Sequence, residues 1–115
     1  MDAVIGSSGS QHMHALERAN RVRLARATLK RKIANGQLDA AEVVLACPWE
    51  AESMSVSELL MSQKRWGRTR CRKFLASIGL PEMKKVSTLT ERQRLTLAAL
   101  LTAKAEAARA EARRS

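Results

Sequence analysis

Residues 56–80 read VSELLMSQKRWGRTRCRKFLASIGL, and this stretch decides the fold. Its first part places apolar residues at the spacing of a short helix, and a polar turn that carries Trp66 and Gly67 follows. A second helix then repeats apolar residues on one face, beginning with Cys71 and Phe74. The stretch therefore predicts two helices joined by a tight turn.

The turn and the start of the second helix are strongly basic. No acidic residue lies between Ser62 and Ser77. Gly67 lets a ligand approach the backbone closely, and the exposed N–H groups and positive dipole end of the following helix favour an anion. The sequence therefore predicts a phosphate-binding surface at this turn. Its basic residues are Lys64, Arg65, Arg68, Arg70, Arg72 and Lys73.

Composition points to the same kind of ligand. The chain has 115 residues, a formal net charge of +10, and 21 basic against 11 acidic residues. The length fits one small domain, and the excess of positive charge predicts a polyanionic partner. With two tryptophans, one phenylalanine and no tyrosine, the chain has too few aromatic rings for a surface on which nucleotide bases stack.

Other residue types make several classes of site improbable. Cys47 and Cys71 are too few for a disulfide scaffold or a zinc site, so we interpret both as small buried residues in a reducing compartment. His12 and His14 have no partners at metal-ligand spacing, and we expect no metal and no cofactor. No apolar run approaches the roughly 20 residues of a membrane span, and no export signal is apparent, which predicts a cytosolic protein.

The chain divides into four segments. Residues 1–12 are small and polar and predict a flexible tail; residues 13–36 predict a basic helix that ends at Gly36. Residues 37–103 predict the helical domain that holds the turn, and residues 104–115 a charged helical extension. No stretch alternates apolar and polar residues over the length of a strand, so the predicted fold is all-α.

Local signals predict where the shorter helices begin. Capping boxes are indicated at Asp39 with Glu42, at Ser55 with Glu58, and at residues 88–91. The last of these predicts that the final helix starts near Leu89. Trp49 follows Pro48 in a linking loop, and we expect its indole to fill the core, since buried aromatic rings contribute strongly to small cores.

The first helix carries a second group of cations. Its apolar stripe is narrow, and seven basic residues there are opposed by one acidic residue, Glu17. A solvated basic face is the simpler interpretation. We prefer a second polyanion-contacting surface, since so many cations exceed what solubility requires. Its candidates, with cations from other segments, are Arg21, Arg23, Arg26, Lys30, Arg31, Lys84, Lys85, Arg92 and Arg94.

Four motifs together resemble the actinobacterial integration host factor family: VSELL from Val56, RWGRTRC from Arg65, FLASIGLP from Phe74, and KKVSTLTERQR from Lys84. The resemblance covers about residues 15–101. In that family the turn typically reads proline, glycine, a hydrophobic residue and glycine, then basic residues and an alanine. Here the hydrophobic residue and second glycine match, while Lys64, Arg65 and Cys71 replace the proline, the first glycine and the alanine.

The resemblance implies a helix-two-turns-helix core behind a long basic helix. It also implies a nucleoid-associated protein that binds duplex DNA with little sequence preference, bends or compacts it, and assists site-specific recombination alongside a phage or host recombinase. We expect a monomer in solution. The DNA-contacting hairpin would comprise Lys64, Arg65, Trp66, Gly67, Arg68, Thr69, Arg70, Arg72 and Lys73, with Gly67, Arg68 and Arg70 as principal contacts to the DNA backbone.

Three other functions are alternatives to this expectation. Ribosomal proteins share this core, so binding to structured RNA is the main alternative, although Glu106 and Glu111 interrupt the basic C-terminus. A DNA glycosylase with this core would need either a catalytic N-terminal amine on an additional domain or a lysine and an aspartate beside the hairpin helix. No aspartate follows Lys73, and we expect no enzyme activity. The first helix lacks the broad apolar face that insertion into a membrane surface requires.

Overall fold

The structure is a computed structural model that describes the backbone of residues 2–114 and the side chains of residues 11–114. The helices in this part of the chain are α1 (Asp2–Ala34), α2 (Ala40–Ala46), α3 (Val56–Met61), α4 (Arg68–Ser77) and α5 (Glu91–Arg114), with 3-10 turns at Trp49–Ala51 and Val86–Thr88. The described residues form no strand, and Ser55 and Lys85 make an isolated bridge. The all-α prediction is confirmed.

The first helix is longer than the sequence predicted at its start. α1 begins at Asp2 rather than at Met13, and it ends at Ala34. Gly36 stops it with a φ of 79°, a left-handed conformation that glycine adopts at little cost, and Gln37 N–H donates back to the Lys32 carbonyl at 2.9 Å. The flexibility expected for residues 1–12 stays a prediction, since most of their side chains lie outside the described residues.

The core lies where the end of α1 meets the four other helices. α2 packs against α5 and α3 against α4, while α1 contacts the turn at Trp49–Ala51. Each fully buried aliphatic side chain contributes about 1.5–3 kcal/mol to stability. The largest fully buried side chains other than Cys71, in chain order, are Val43, Val44, Met54, Val56, Leu59, Leu60, Leu75, Val86 and Leu97.

The helix starts follow the sequence signals in part. Ser55 caps α3 as predicted, since its hydroxyl accepts the Glu58 N–H at 3.1 Å. The Asp39 side chain makes no capping hydrogen bond to α2, although Asp39 occupies the cap position. α5 has a reciprocal capping box two residues later than predicted: Thr90 accepts the Gln93 N–H at 3.1 Å, and the Gln93 side chain accepts the Thr90 N–H at 2.9 Å.

Two further expectations about the core have different outcomes. Trp49 is 55% exposed, so the expectation that its indole fills the core is wrong: the 3-10 turn turns the ring outward. Cys71 is buried as expected, and its thiol contacts the Ser57 carbonyl at 3.8 Å. Burial, and to a lesser extent the Glu82 carboxylate, raise the pKa of the Cys71 thiol, which favours the protonated form. Cys47 is only partly buried.

None of the described helices combines the length and hydrophobicity that a transmembrane segment requires.

Arg94 joins α5 to two other parts of the fold. Its guanidinium donates to the Val44 carbonyl in α2, to the Val86 carbonyl at 3.0 Å and to the Leu89 carbonyl at 3.4 Å. The Val44 carbonyl lies in the last turn of α2, where backbone acceptors lack helical partners, whereas the Val86 carbonyl also accepts the Leu89 N–H at 3.3 Å. Arg94 is one of the candidates for a second polyanion surface, but its guanidinium N–H groups donate hydrogen bonds inside the fold.

We expect Arg94→Met to lower the free energy of unfolding by about 1–3 kcal/mol, because it leaves the Val44 carbonyl at the end of α2 without its donor. Urea denaturation of the purified variant measures the change. Arg92→Met is the matched control, since Arg92 is exposed on the same helix, and we expect a change within about 0.5 kcal/mol there. Equal losses in the two variants would contradict a bridging role for Arg94.

Candidate nucleic-acid interface

The hairpin between α3 and α4 is held by its own backbone. After α3 ends at Met61, Ser62 N–H donates to the Leu59 carbonyl at 3.2 Å and Gln63 N–H to the Leu60 carbonyl at 3.2 Å. Trp66 N–H then donates to the Gln63 carbonyl, also at 3.2 Å. Residues 62–67 therefore form a compact turn that delivers the chain directly into α4.

Arg65 has an unusual backbone conformation in this turn. Its φ is 70°, in the left-handed region that a residue with a Cβ adopts at a cost of about 1–2 kcal/mol. This position is the one that the family resemblance aligns with a glycine. The chain thus keeps a glycine-like backbone shape there, while its exposed side chain adds a cation to the surface.

Trp66 is the internal support of the hairpin. Its side chain is 9% exposed, and its ring meets the Phe74 ring edge to face, with centroids 5.3 Å apart at 88°. The Arg70 guanidinium lies over the same indole, 4.4 Å from the ring centroid. The structure therefore places Trp66 under the candidate surface, where it positions Arg70 instead of presenting a free aromatic face.

Gly67 leaves the start of α4 open. It occupies the cap position with φ −84° and ψ 178°, an extended conformation that any residue adopts, and a Cβ there would meet no atom within 4 Å. No side chain from this position caps the helix. The first amide N–H groups of α4 have no acceptor within the helix, so they remain directed at whatever approaches Gly67.

Cations surround this helix start. The structure leaves six of the predicted basic side chains and one hydroxyl exposed on the hairpin and on α4: Lys64, Arg65, Arg68, Thr69, Arg70, Arg72 and Lys73. Arg72 forms an ion pair with Glu82, with 3.6 Å between its Nε and the carboxylate. Cationic side chains, amide donors and the positive end of a helix dipole coincide here, which is an arrangement suited to phosphate oxygens.

The candidate residues of the predicted second surface fall into two groups in the structure: cations paired with an acidic residue and cations exposed to solvent. Arg26 and Lys30 both pair with Glu58, and the closest N to O distances are 3.6 and 2.5 Å. These pairs fasten α1 to α3, so the two cations have a structural role, as Arg94 has. The remaining candidates are exposed, or partly exposed in the case of Lys84: Arg21, Arg23, Arg31, Lys84, Lys85 and Arg92.

The sequence prediction missed one residue beside the hairpin. Lys104 of α5 places its ammonium group 5.5 Å from the centroid of the Phe74 ring, and it lines a groove together with Arg70 and Lys73. The local sequence around Lys104 indicates only a charged helical extension. Thirty residues separate Lys104 from Phe74, and no local pattern in the sequence indicates that they meet.

The described residues contain no group of three or more histidine, cysteine, aspartate or glutamate side chains that could hold a metal ion.

Comparison with known proteins yields one informative neighbour. No family model and no curated protein matches this chain. Its fold is similar to a solved structure described as sIHF bound to an 8bp palindromic DNA, with a TM-score of 0.68 and 25% sequence identity. The match covers 74% of this chain and 98% of that chain. The match thus extends over almost the whole of the neighbour, and this chain has an IHF-like fold.

Proposed function

We propose that this protein binds double-stranded DNA through the hairpin between α3 and α4. The observation that carries the proposal is the open start of α4 at Gly67, surrounded by exposed cations, in a fold similar to one solved on DNA. Phosphate oxygens accept hydrogen bonds from backbone N–H groups and from arginine and lysine side chains. Binding of this kind fixes position on the duplex without reading bases.

The chemistry of the surface supports binding with little sequence preference. Its predicted principal contacts are Gly67, Arg68 and Arg70, which offer a backbone and two guanidinium groups. The aromatic ring at Trp66 is buried, so it is not free to insert between bases. Affinity would then come mainly from the release of counterions, and it would fall steeply with salt concentration.

We further propose that the protein bends or compacts DNA as a nucleoid-associated protein of the cytoplasm. Support comes from the exposed cations Arg21, Arg23 and Arg31 on α1, outside the hairpin, which could hold a second stretch of duplex. In this proposal the protein acts as a monomer and can assist a site-specific recombinase, in line with the family resemblance. Its role is binding, and no catalytic step is assigned to it.

The hairpin arginines provide the first test. Arg68→Ala combined with Arg70→Ala should weaken binding to every duplex sequence about equally, because both residues contact phosphates. The slope of log affinity against log salt should flatten by about 0.9 for each lost contact. Fluorescence anisotropy with several random-sequence duplexes, at a series of salt concentrations, measures both quantities.

The matched control for this test is Arg113→Ala combined with Arg114→Ala, which removes the same charge from the end of α5. The control should retain most of the affinity and the salt slope. A loss confined to one DNA sequence, or an equal loss in the control, would count against backbone contacts at the hairpin.

Gly67 offers a test that separates binding from folding. Gly67→Ala should leave the free energy of unfolding nearly unchanged, because the backbone is extended and the added Cβ has space. Its affinity for duplex should nevertheless fall, since the methyl group occupies the path of the approaching phosphate. Gly67→Glu should reduce affinity more, because it adds a negative charge there. Full affinity in both variants would show that Gly67 serves only the turn.

The proposed bend can be tested on α1. Arg21→Glu combined with Arg23→Glu should reduce the bending of a long duplex more than it reduces affinity for a short one, because the short duplex reaches only the hairpin. Energy transfer between dyes at the two DNA ends reports the bend. These residues are preferable to Arg26 and Lys30, whose replacement would also break the pairs with Glu58. An unchanged DNA shape would eliminate a second surface on α1.

A further inference from the structure

A groove between the hairpin and α5 continues the candidate surface. One part, with a volume of about 510 Å³, is lined by Arg65, Arg70 and Lys104. The adjoining part lies between α4 and α5 and is lined by Arg70, Lys73 and Lys104, among others. Arg70 and Lys104 line both parts, so the groove is continuous with the hairpin.

Two of these cations are held by one pair of aromatic rings. The Trp66 and Phe74 rings pack edge to face, Arg70 lies 4.4 Å from the Trp66 centroid, and Lys104 lies 5.5 Å from the Phe74 centroid. Attraction between a cation and an aromatic ring restrains long side chains that would otherwise sample many conformers. The two charged groups, from different helices, are therefore already oriented along the same groove.

The wall that α5 contributes is suited to close approach by a large ligand. It consists largely of small side chains, which are Ala107, Ala108 and Ala112. Glu111 also lines the groove, so the cations Arg65, Arg70, Lys73 and Lys104 are partly offset by one carboxylate. The balance remains positive, and the groove favours a polyanion over a small neutral molecule.

We infer that this groove is a second phosphate-binding subsite, in which Lys104 contacts the backbone of the same nucleic acid strand that the hairpin holds. The inference rests on the proposed function. Arg70 belongs to both the hairpin and the groove. A nucleic acid strand that contacts Gly67 and Arg70 therefore continues into the groove beside α5. The duplex footprint is then extended onto the face of α5 that carries Lys104, Ala107, Ala108 and Ala112, and Lys104 adds one phosphate contact to those of the hairpin.

The test compares two cations on the same helix. Lys104→Gln removes the charge in the groove, and Arg109→Gln removes one charge from another face of α5, where Arg109 pairs with Asp39 at 3.7 Å. Both side chains are exposed and glutamine is a good helix former, so we expect both variants to fold. Circular dichroism confirms this before binding to a random-sequence duplex is measured across a salt series.

We expect Lys104→Gln to lower affinity several-fold and to flatten the salt slope by about 0.9, which corresponds to one phosphate contact. Arg109→Gln should leave the slope unchanged.

Failure of this inference is distinguishable from failure of the proposed function. If the unmodified protein binds duplex and the hairpin variants lose affinity, but Lys104→Gln matches Arg109→Gln, the groove is not a phosphate subsite and the hairpin proposal stands. If the unmodified protein does not bind duplex at all, both are overturned.

Discussion

The packing of Trp66 against Phe74 is the interaction on which the candidate site depends. Because the indole is buried, the turn before it must fold tightly, and Arg65 accepts a left-handed backbone to allow this. The residue after it, Gly67, then begins α4 with its amide groups uncovered. The same pair of rings orients Arg70 and Lys104. One apolar contact thus sets the positions of both the amide donors and the cations.

The positive charge of the chain serves two purposes that composition cannot separate. Some cations stabilise the fold: Arg26 and Lys30 hold α1 to α3 through Glu58, and Arg94 donates to three carbonyls in two other segments. Others, around the hairpin, point to solvent with few acidic neighbours. A polyanion gains most from the second group, because most of those charges are not already neutralised; the exception is Arg72, which pairs with Glu82. The net charge therefore overstates the number of cations that are available to bind a polyanion.

Local sequence patterns predicted the helical class, the hairpin, the Ser55 cap and the end of α1, because each depends on residues close together in the chain. Trp49 was expected in the core and is exposed, since only the packing of α1 and α2 decides which way a linking turn faces. The α5 cap is at Thr90 and not at Thr88 as predicted. The sequence does not distinguish the two positions, because each threonine is followed three residues later by a glutamate or glutamine. The roles of Arg94 and Lys104 depend on contacts between residues far apart in the chain, which no local pattern records.

A competition measurement tests the central claim most directly. Labelled duplex DNA bound to the protein is challenged, at several salt concentrations, with unlabelled random duplexes and with structured RNA of equal phosphate count. A hairpin that contacts the duplex DNA backbone predicts that random duplexes compete fully, regardless of sequence, and that RNA competes poorly. RNA that competes better than duplex would contradict the account and would indicate that the hairpin serves the structured-RNA function of ribosomal proteins that share this core.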